Sequence, residues 1–245
     1  GLSPVLVPSR ASLDTQAEYV ACLALFAMAA GRIGSELYRL MSEETEEVAE
    51  RLGPDVVGSS TMPHKVNPKH VVHLMASAAQ LRAKAAPALE AGLPAHEGDA
   101  SCNLLMSATL EDACALALEV AQRLQSTLAI IEVQPQNMAR NLARSGQVIA
   151  SERLMMVLAQ KIGRTHAHDL VHHAVAQAVQ GHAPVVDTLL QAPEIAATAS
   201  RADLEEALHP ANYLGDSVQI AQRAAVLAGE VAAGLRARAQ TPSAA

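Results

Sequence analysis

The chain has 245 residues, half of them hydrophobic, which excludes a disordered chain and allows a sizeable core as one large domain or two smaller ones. With no Trp, one Phe and three Tyr, that core must be built from Ala, Leu, Val, Ile and Met, residues that favour closely packed helices over sheets. A formal net charge of -7 argues against nucleic-acid or anionic-membrane surfaces, although a local cluster of Lys and backbone amides can still bind a small anion.

Residues 1–11, with Pro4 and Pro8, read as an extended strap. A long helix is expected from about Leu13 to Arg51, on the spacing of Tyr19, Leu23, Phe26, Ala30, Ile33, Leu37 and Leu40, with Gly53-Pro54 as its stop. The acidic run Glu43, Glu44, Glu46 and Glu47 then falls on a solvated helix face, with a cation site as the rarer alternative. Residues 54–68 lack helical periodicity and form a loop. A second helix is expected over about Lys69–Ala86, broken near Pro87 or Pro94, and a third over about Ser101–Ile131, ended by Pro135. Shorter segments follow at about 136–144, 147–161, 164–180, 185–190, 201–207 and 214–238. The fold class is therefore all-α: a long-helix bundle over 1–133 that oligomerises, then a compact helical domain over 134–245. Oligomerisation follows from length, since helices of ~30 residues run ~45 Å and a chain this small cannot cover their apolar faces.

The three cysteines, Cys22, Cys102 and Cys114, sit among apolar residues with no CxxC pair and are expected to be buried free thiols in a reducing compartment. No signal peptide is visible, and the apolar stretch Val20–Ala30 is closed by Gly31-Arg32 before it reaches bilayer length. These features imply a cytoplasmic protein that binds neither nucleic acid nor membrane. Ten histidines invite a metal reading, and His168 and His172 stand four apart on one helical face. With no HExxH pattern and no cysteine partner, helical surface histidines are the commoner explanation, so no metal residue is assigned.

The loop carries the chemistry. Gly58 lets successive amides be exposed; Ser59, Ser60 and Thr61 supply hydroxyls and N–H donors, Lys65 a positive charge, and Asn67 an amide that both donates and accepts. Such a set suits a carboxylate or an enolate-like dianion. A serine there could act as a base towards carbon, given a stabilised alkoxide. A loop whose serines merely cap the next helix has the same composition. The order Gly58-Ser59-Ser60-Thr61-Met62-Pro63-His64-Lys65-Val66-Asn67 is more specific than that.

With this loop between two long helices, the chain resembles the fumarase/aspartase superfamily, in the branch that includes adenylosuccinate lyase and 3-carboxy-cis,cis-muconate cycloisomerase. The stretches Gly34-Ser35-Glu36-Leu37-Tyr38-Arg39, His96-Glu97-Gly98-Asp99 and Gly163-Arg164 are similar to family segments as well. The resemblance implies β-elimination releasing fumarate or a related product, or cycloisomerisation of a carboxymuconate-type substrate. Ser59 would be the base, and Ser60, Thr61, Met62, Lys65 and Asn67 would bind the substrate carboxylate. It implies no cofactor, a small-molecule carboxylate substrate and a homo-oligomer, expected to be a tetramer whose sites draw on several subunits. Two departures stand out: Val72 where the family often has Glu, which weakens the fumarase and aspartase readings more than this branch, and Gly98 where related lyases carry Arg, which counts against adenylosuccinate itself. The length matches the C-terminal half of such enzymes, so a missing N-terminal segment is expected and the chain alone should have little activity. The other reading is a truncated, non-catalytic homologue acting as a helical assembly or binding module.

Overall fold

A computed structural model describes residues 10–51, 67–146 and 148–240. The expected strap over 1–9 and most of the loop, including Ser59, Ser60, Thr61, Met62 and Lys65, lie outside them. The described chain is all-α apart from one pair of three-residue strands, and it divides into two compact units near residue 138.

The first unit is a bundle of α1 (Asp14–Leu40), α2 (His70–Ala83), α3 (Ala85–Ala91) and α4 (Ala100–Ile130), joined by β1 (Val48–Glu50) and β2 (Ile131–Val133). Its core runs through Val20, Ala27, Leu74, Leu81, Ala88, Met106, Ala113 and Val120. The small residues Ala27, Ala30, Gly31 and Gly34 recur every three or four positions on α1, so α2 can lie close along it. By length and composition α1 could cross a membrane, contrary to what its short uninterrupted apolar run implies. One face of it packs against α2 and α4, while Leu25, Phe26 and Met28 on the rest stay exposed.

The first helix ends at Leu40, eleven residues before the expected Arg51. The chain turns back there through Glu46, whose φ of 51° is left-handed, and the Glu47 amide donates to the Leu40 carbonyl at 2.9 Å. Ser42 and Thr45 share a 3.0 Å hydroxyl contact inside this turn. The acidic run therefore lies mostly on a turn rather than on a helix face. Next, β1 pairs antiparallel with β2, Glu50 opposite Ile131. The break in the second helix comes at Lys84, because Pro87 cannot donate to the carbonyl of Ala83 and its ring would crowd it. Nor does Pro135 end α4; it opens α5 (Pro135–Ser145) at a position where a missing N–H costs nothing.

The second unit holds α6 (Ser151–Ile162), α7 (Arg164–Val179), α8 (Val185–Leu189), α9 (Pro193–Thr198), α10 (Arg201–Leu208) and α11 (Ser217–Gln240). Its core includes Leu154, Leu158, Val171, Leu189, Ile195 and Leu204. The short helix α9 has no counterpart in the sequence expectation, where Pro193 read as punctuation; it stands in the first turn instead. A reciprocal capping box between Ser200 and Asp203 starts α10.

The cysteines correct another expectation: Cys22 and Cys114 are exposed and Cys102 is half-buried, all three free. The cause is that α1 and α4 carry apolar residues beyond the faces this chain packs. Leu25 (59% exposed), Leu104 (72%) and Leu118 (61%) show the same excess.

Candidate active site: the foot of the loop and a distant turn

Of the six candidate residues only Asn67 is described; it is exposed, three residues before the start of α2. What surrounds the loop's two ends is defined. The chain enters it from β1 and leaves it into α2. The first turn of α2 has no acidic residue, and its N-cap Lys69 makes no side-chain capping bond. Its donors are met from twenty residues upstream. The Glu50 carboxylate, 9% exposed, accepts the backbone N–H groups of Lys69 at 2.8 Å, His70 at 3.2 Å and Val71 at 2.8 Å. A buried carboxylate is tolerated when amides and the positive end of a helix dipole surround it, and three convergent N–H groups meet that need.

On the other side of the loop's entry, the Arg51 amide donates to the Ile130 carbonyl at 2.7 Å and its guanidinium pairs with Glu132 at 2.6 Å. The entry is thereby fixed to the end of α4, and the exit is fixed to the entry through Glu50. Nothing in the sequence pattern singled out Glu50. Its signal was negative: a helix start, Pro68-Lys69-His70, with no Ser, Thr, Asp or Asn in the capping position.

The His96–Asp99 segment lies at the other end of the bundle. Gly98 has φ +75°, a left-handed conformation where a side chain is strained. That conformation gives a physical reason for glycine at this position. Asp99 caps α4, accepting from the Ser101 hydroxyl at 2.6 Å and the Ser101 amide at 3.0 Å, while its other oxygen takes the Ala95 amide at 3.1 Å. The Ser101 hydroxyl, then the amides, hold the Asp99 carboxyl well below the usual range, at about 2. The 31 residues of α4 separate this turn from β2 and the loop foot. At 1.5 Å per residue that is about 45 Å. The structure does not bring the two segments together within one copy.

Between them runs a polar seam. The Ser77 hydroxyl, 5% exposed, donates to Glu119 at 2.8 Å, and Arg123 donates to the same oxygen at 2.6 Å. Arg123 and then Ser77 hold the Glu119 carboxyl below its ordinary value. The exposed Val72 occupies the first turn of α2. In the second unit, His166 meets Glu194 at 2.9 Å, and the rings of His168 and His172 stack with centroids 6.0 Å apart. Among the described residues no group of three or more His, Cys, Asp or Glu is placed to hold a metal.

Comparison with known proteins agrees with this architecture. The family model described as "Lyase" matches residues 5–82, and "Adenylosuccinate lyase C-terminus" matches residues 147–224. The chain is 32% identical to an N-acetyl-S-(2-succino)cysteine lyase of Enterococcus italicus, over 84% of this chain and 45% of that protein. It is also 32% identical to an adenylosuccinate lyase of Methanothermobacter thermautotrophicus, over 91% of this chain and 50% of that one. The crystal structure of the 3-carboxy-cis,cis-muconate lactonizing enzyme from Pseudomonas putida superposes with a TM-score of 0.79 at 31% identity, covering 90% of this chain and 50% of that one. The chain thus spans about half the length of the curated relatives it matches.

Proposed function

This chain belongs to the fumarase/aspartase superfamily, and from that premise we propose that it carries the base-bearing loop of a lyase acting on a small carboxylate. The reaction is β-elimination to fumarate or a related product, or cycloisomerisation of a carboxymuconate-type substrate. One observation carries the reading: the ten-residue stretch from Gly58 to Asn67, in a chain whose first 82 residues include the lyase match.

Ser59 removes the proton from the carbon beside the substrate carboxylate. The pair of electrons left behind moves into that carboxylate, giving a dianion, and then expels the leaving group from the neighbouring carbon. Ser60, Thr61, Met62, Lys65 and Asn67 bind the carboxylate and meet the developing charge with hydroxyl, amide and ammonium donors. The reaction as written needs no cofactor.

The same reading takes the protein as a homo-oligomer, a tetramer by the family's habit. Two observations support association. Tyr19, Leu25, Phe26 and Met28 on α1 and Leu104 and Leu118 on α4 leave apolar surface exposed, each worth about 1.5–3 kcal/mol if fully buried. And a site using both the loop and the His96–Asp99 turn needs one copy's turn beside another copy's loop. The three free thiols favour a reducing, cytoplasmic setting.

Because the chain spans half of its relatives, these residues hold part of the site. The purified 245-residue chain is expected to give little turnover, read by the ultraviolet absorbance of the unsaturated product. It should still bind a nitronate that mimics the dianion, and Ser59→Ala or Lys65→Ala should each weaken that binding about tenfold or more, ~1.4 kcal/mol. Equal binding by wild type and both variants would sink the assignment, and brisk turnover by the chain alone would sink its incompleteness.

A further inference from the structure

A groove between α1 and α2 collects arginines. Arg32 and Arg39 line it from α1, seven residues and so two turns apart, and Arg82 lines it from α2, around a volume of 570 Å³. Arg39 is already engaged: its Nε and Nη2 atoms donate to the two oxygens of Glu36, the one acid in the lining, at 3.2 and 2.5 Å. Arg32 and Arg82 have no carboxylate partner among the described residues, although acidic residues outnumber Lys and Arg by 25 to 18 in this chain. What holds Arg82 is a hydrogen bond to the Ala27 carbonyl at 3.4 Å, too long to be strong. Its guanidinium has room there because residue 31 is glycine: a Cβ would come within 2.6 Å of Nη1.

Two unpaired guanidiniums sharing one groove repel each other, and an anion between them relieves that repulsion. Their planar N–H forks match the oxygens of a phosphate or a carboxylate. Met28 and Met75 add apolar, adaptable surface beside the charges. The volume is that of a groove for a metabolite-sized molecule. We propose that this groove binds a small organic anion, its phosphate or carboxylate head held by Arg32 and Arg82 and its apolar stem lying along Met28 and Met75. Such binding requires no residue of the signature loop and is independent of the lyase reading.

Butyl phosphate and pentanoate share an apolar stem and differ in the head group, so calorimetric titration of the full chain with each tests the site. All proteins carry Lys65→Ala, which weakens the carboxylate contact assigned to the loop. At about 0.1 M ionic strength, Arg32→Gln and Arg82→Gln should each weaken binding about threefold, and the double variant about tenfold. Gly31→Ala, which pushes the Arg82 guanidinium from its seat, should weaken binding about threefold while the fold stays intact. Arg10→Gln removes the same charge before α1. From Asp14 to Arg32 the helix runs about 27 Å, well beyond the ~10 Å screening length, so this variant should bind as its parent does. Whichever probe binds more tightly identifies the head group, and with either one the loss in the arginine variants supports the site. No binding of either probe, parental affinity in the double variant or in Gly31→Ala, or an equal loss in Arg10→Gln would overturn it. So would a double variant whose lost affinity comes with a changed oligomeric state in light scattering, because the arginines would then serve a contact between copies.

Discussion

Gly31 and Gly34 lie on one face of α1, three residues apart and both buried, and the structure assigns opposite outcomes to the same substitution at each. Replacing a helical glycine by alanine ordinarily stabilises by about 1 kcal/mol, because the unfolded chain loses freedom. A Cβ at Gly31 would come within 2.6 Å of the Arg82 Nη1 atom and 3.7 Å of Ala78 Cβ. The obstacle is the far end of a long exposed side chain. Its bond to the Ala27 carbonyl is already 3.4 Å long, so swinging it aside gives up little. At Gly34 the same atom would come within 2.9 Å of Met75 Cγ and 3.6 Å of Leu74 Cδ2. That Met75 atom is mid-chain, and fully buried Leu74 crowds the same spot. Overpacking of this kind costs about 1–3 kcal/mol. Gly31→Ala should therefore be stabilised by about 0.5–1 kcal/mol and Gly34→Ala destabilised by about 0–2 kcal/mol, a gap of about 2 kcal/mol. Urea unfolding followed by far-ultraviolet circular dichroism reads the gap, at one fixed protein concentration because association adds to apparent stability. A Gly34→Ala protein as stable as Gly31→Ala would refute the packing of α1 on α2 described above.

Leu154 is fully buried in the second unit, so Leu154→Ala should cost about 2–5 kcal/mol in thermal or urea unfolding, whereas Val179→Ala, at a site 72% exposed, should stay within about 0.5 kcal/mol. The Asp99 carboxyl is held at about 2 in the folded chain against an ordinary 3.8. Its contribution is therefore present above pH ~4 and is lost as pH falls from about 4 to about 2. Asp99→Asn, which can still cap α4, should show a shallower loss of thermal stability over that window; an unchanged slope would show that the carboxylate is not held as described. Gly98→Ala should destabilise by about 1 kcal/mol and Gly98→Asn by less, since nothing within 4 Å would meet the added Cβ and the cost is backbone alone.

What the sequence made legible follows from where its signals are periodic. The long helices were readable because Ala, Leu and Val recur at three- and four-residue spacing over many turns. Their limits were harder where the stop is a turn without glycine. Glu46 takes the left-handed position that glycine usually marks, and the residues around it, Ser42 to Glu47, read as one more polar helical turn. Proline was misread twice for one reason: Pro135 and Pro193 stand in the first turn of a helix, where the missing N–H is harmless, and a linear reading sees only a breaker, whereas Pro87 does separate α2 from α3. The exposed thiols depended on which apolar faces find a partner within the chain, and periodicity cannot supply that.

The loop was recognisable by residue order alone, whereas its foot was not, and the difference is physical. Ser59, Lys65 and Asn67 announce chemistry through their place in the order Gly58-Ser59-Ser60-Thr61-Met62-Pro63-His64-Lys65-Val66-Asn67, since the same groups in another order would suit an ordinary loop. Glu50 looks like any surface glutamate until β1 is placed beside the start of α2. Only the pairing of β1 with β2 makes it a contact between residues twenty apart. The same clip decides what a single copy can offer. It ties the loop to one end of α4, while Asp99 ties the His96–Asp99 turn to the other. A rigid helix of 31 residues holds those ends about 45 Å apart, and no side-chain motion closes that distance. The loop's foot and the His96–Asp99 turn thus stand at opposite ends of one copy, and the exposed leucines along α4 and α1 leave apolar surface for another copy to cover.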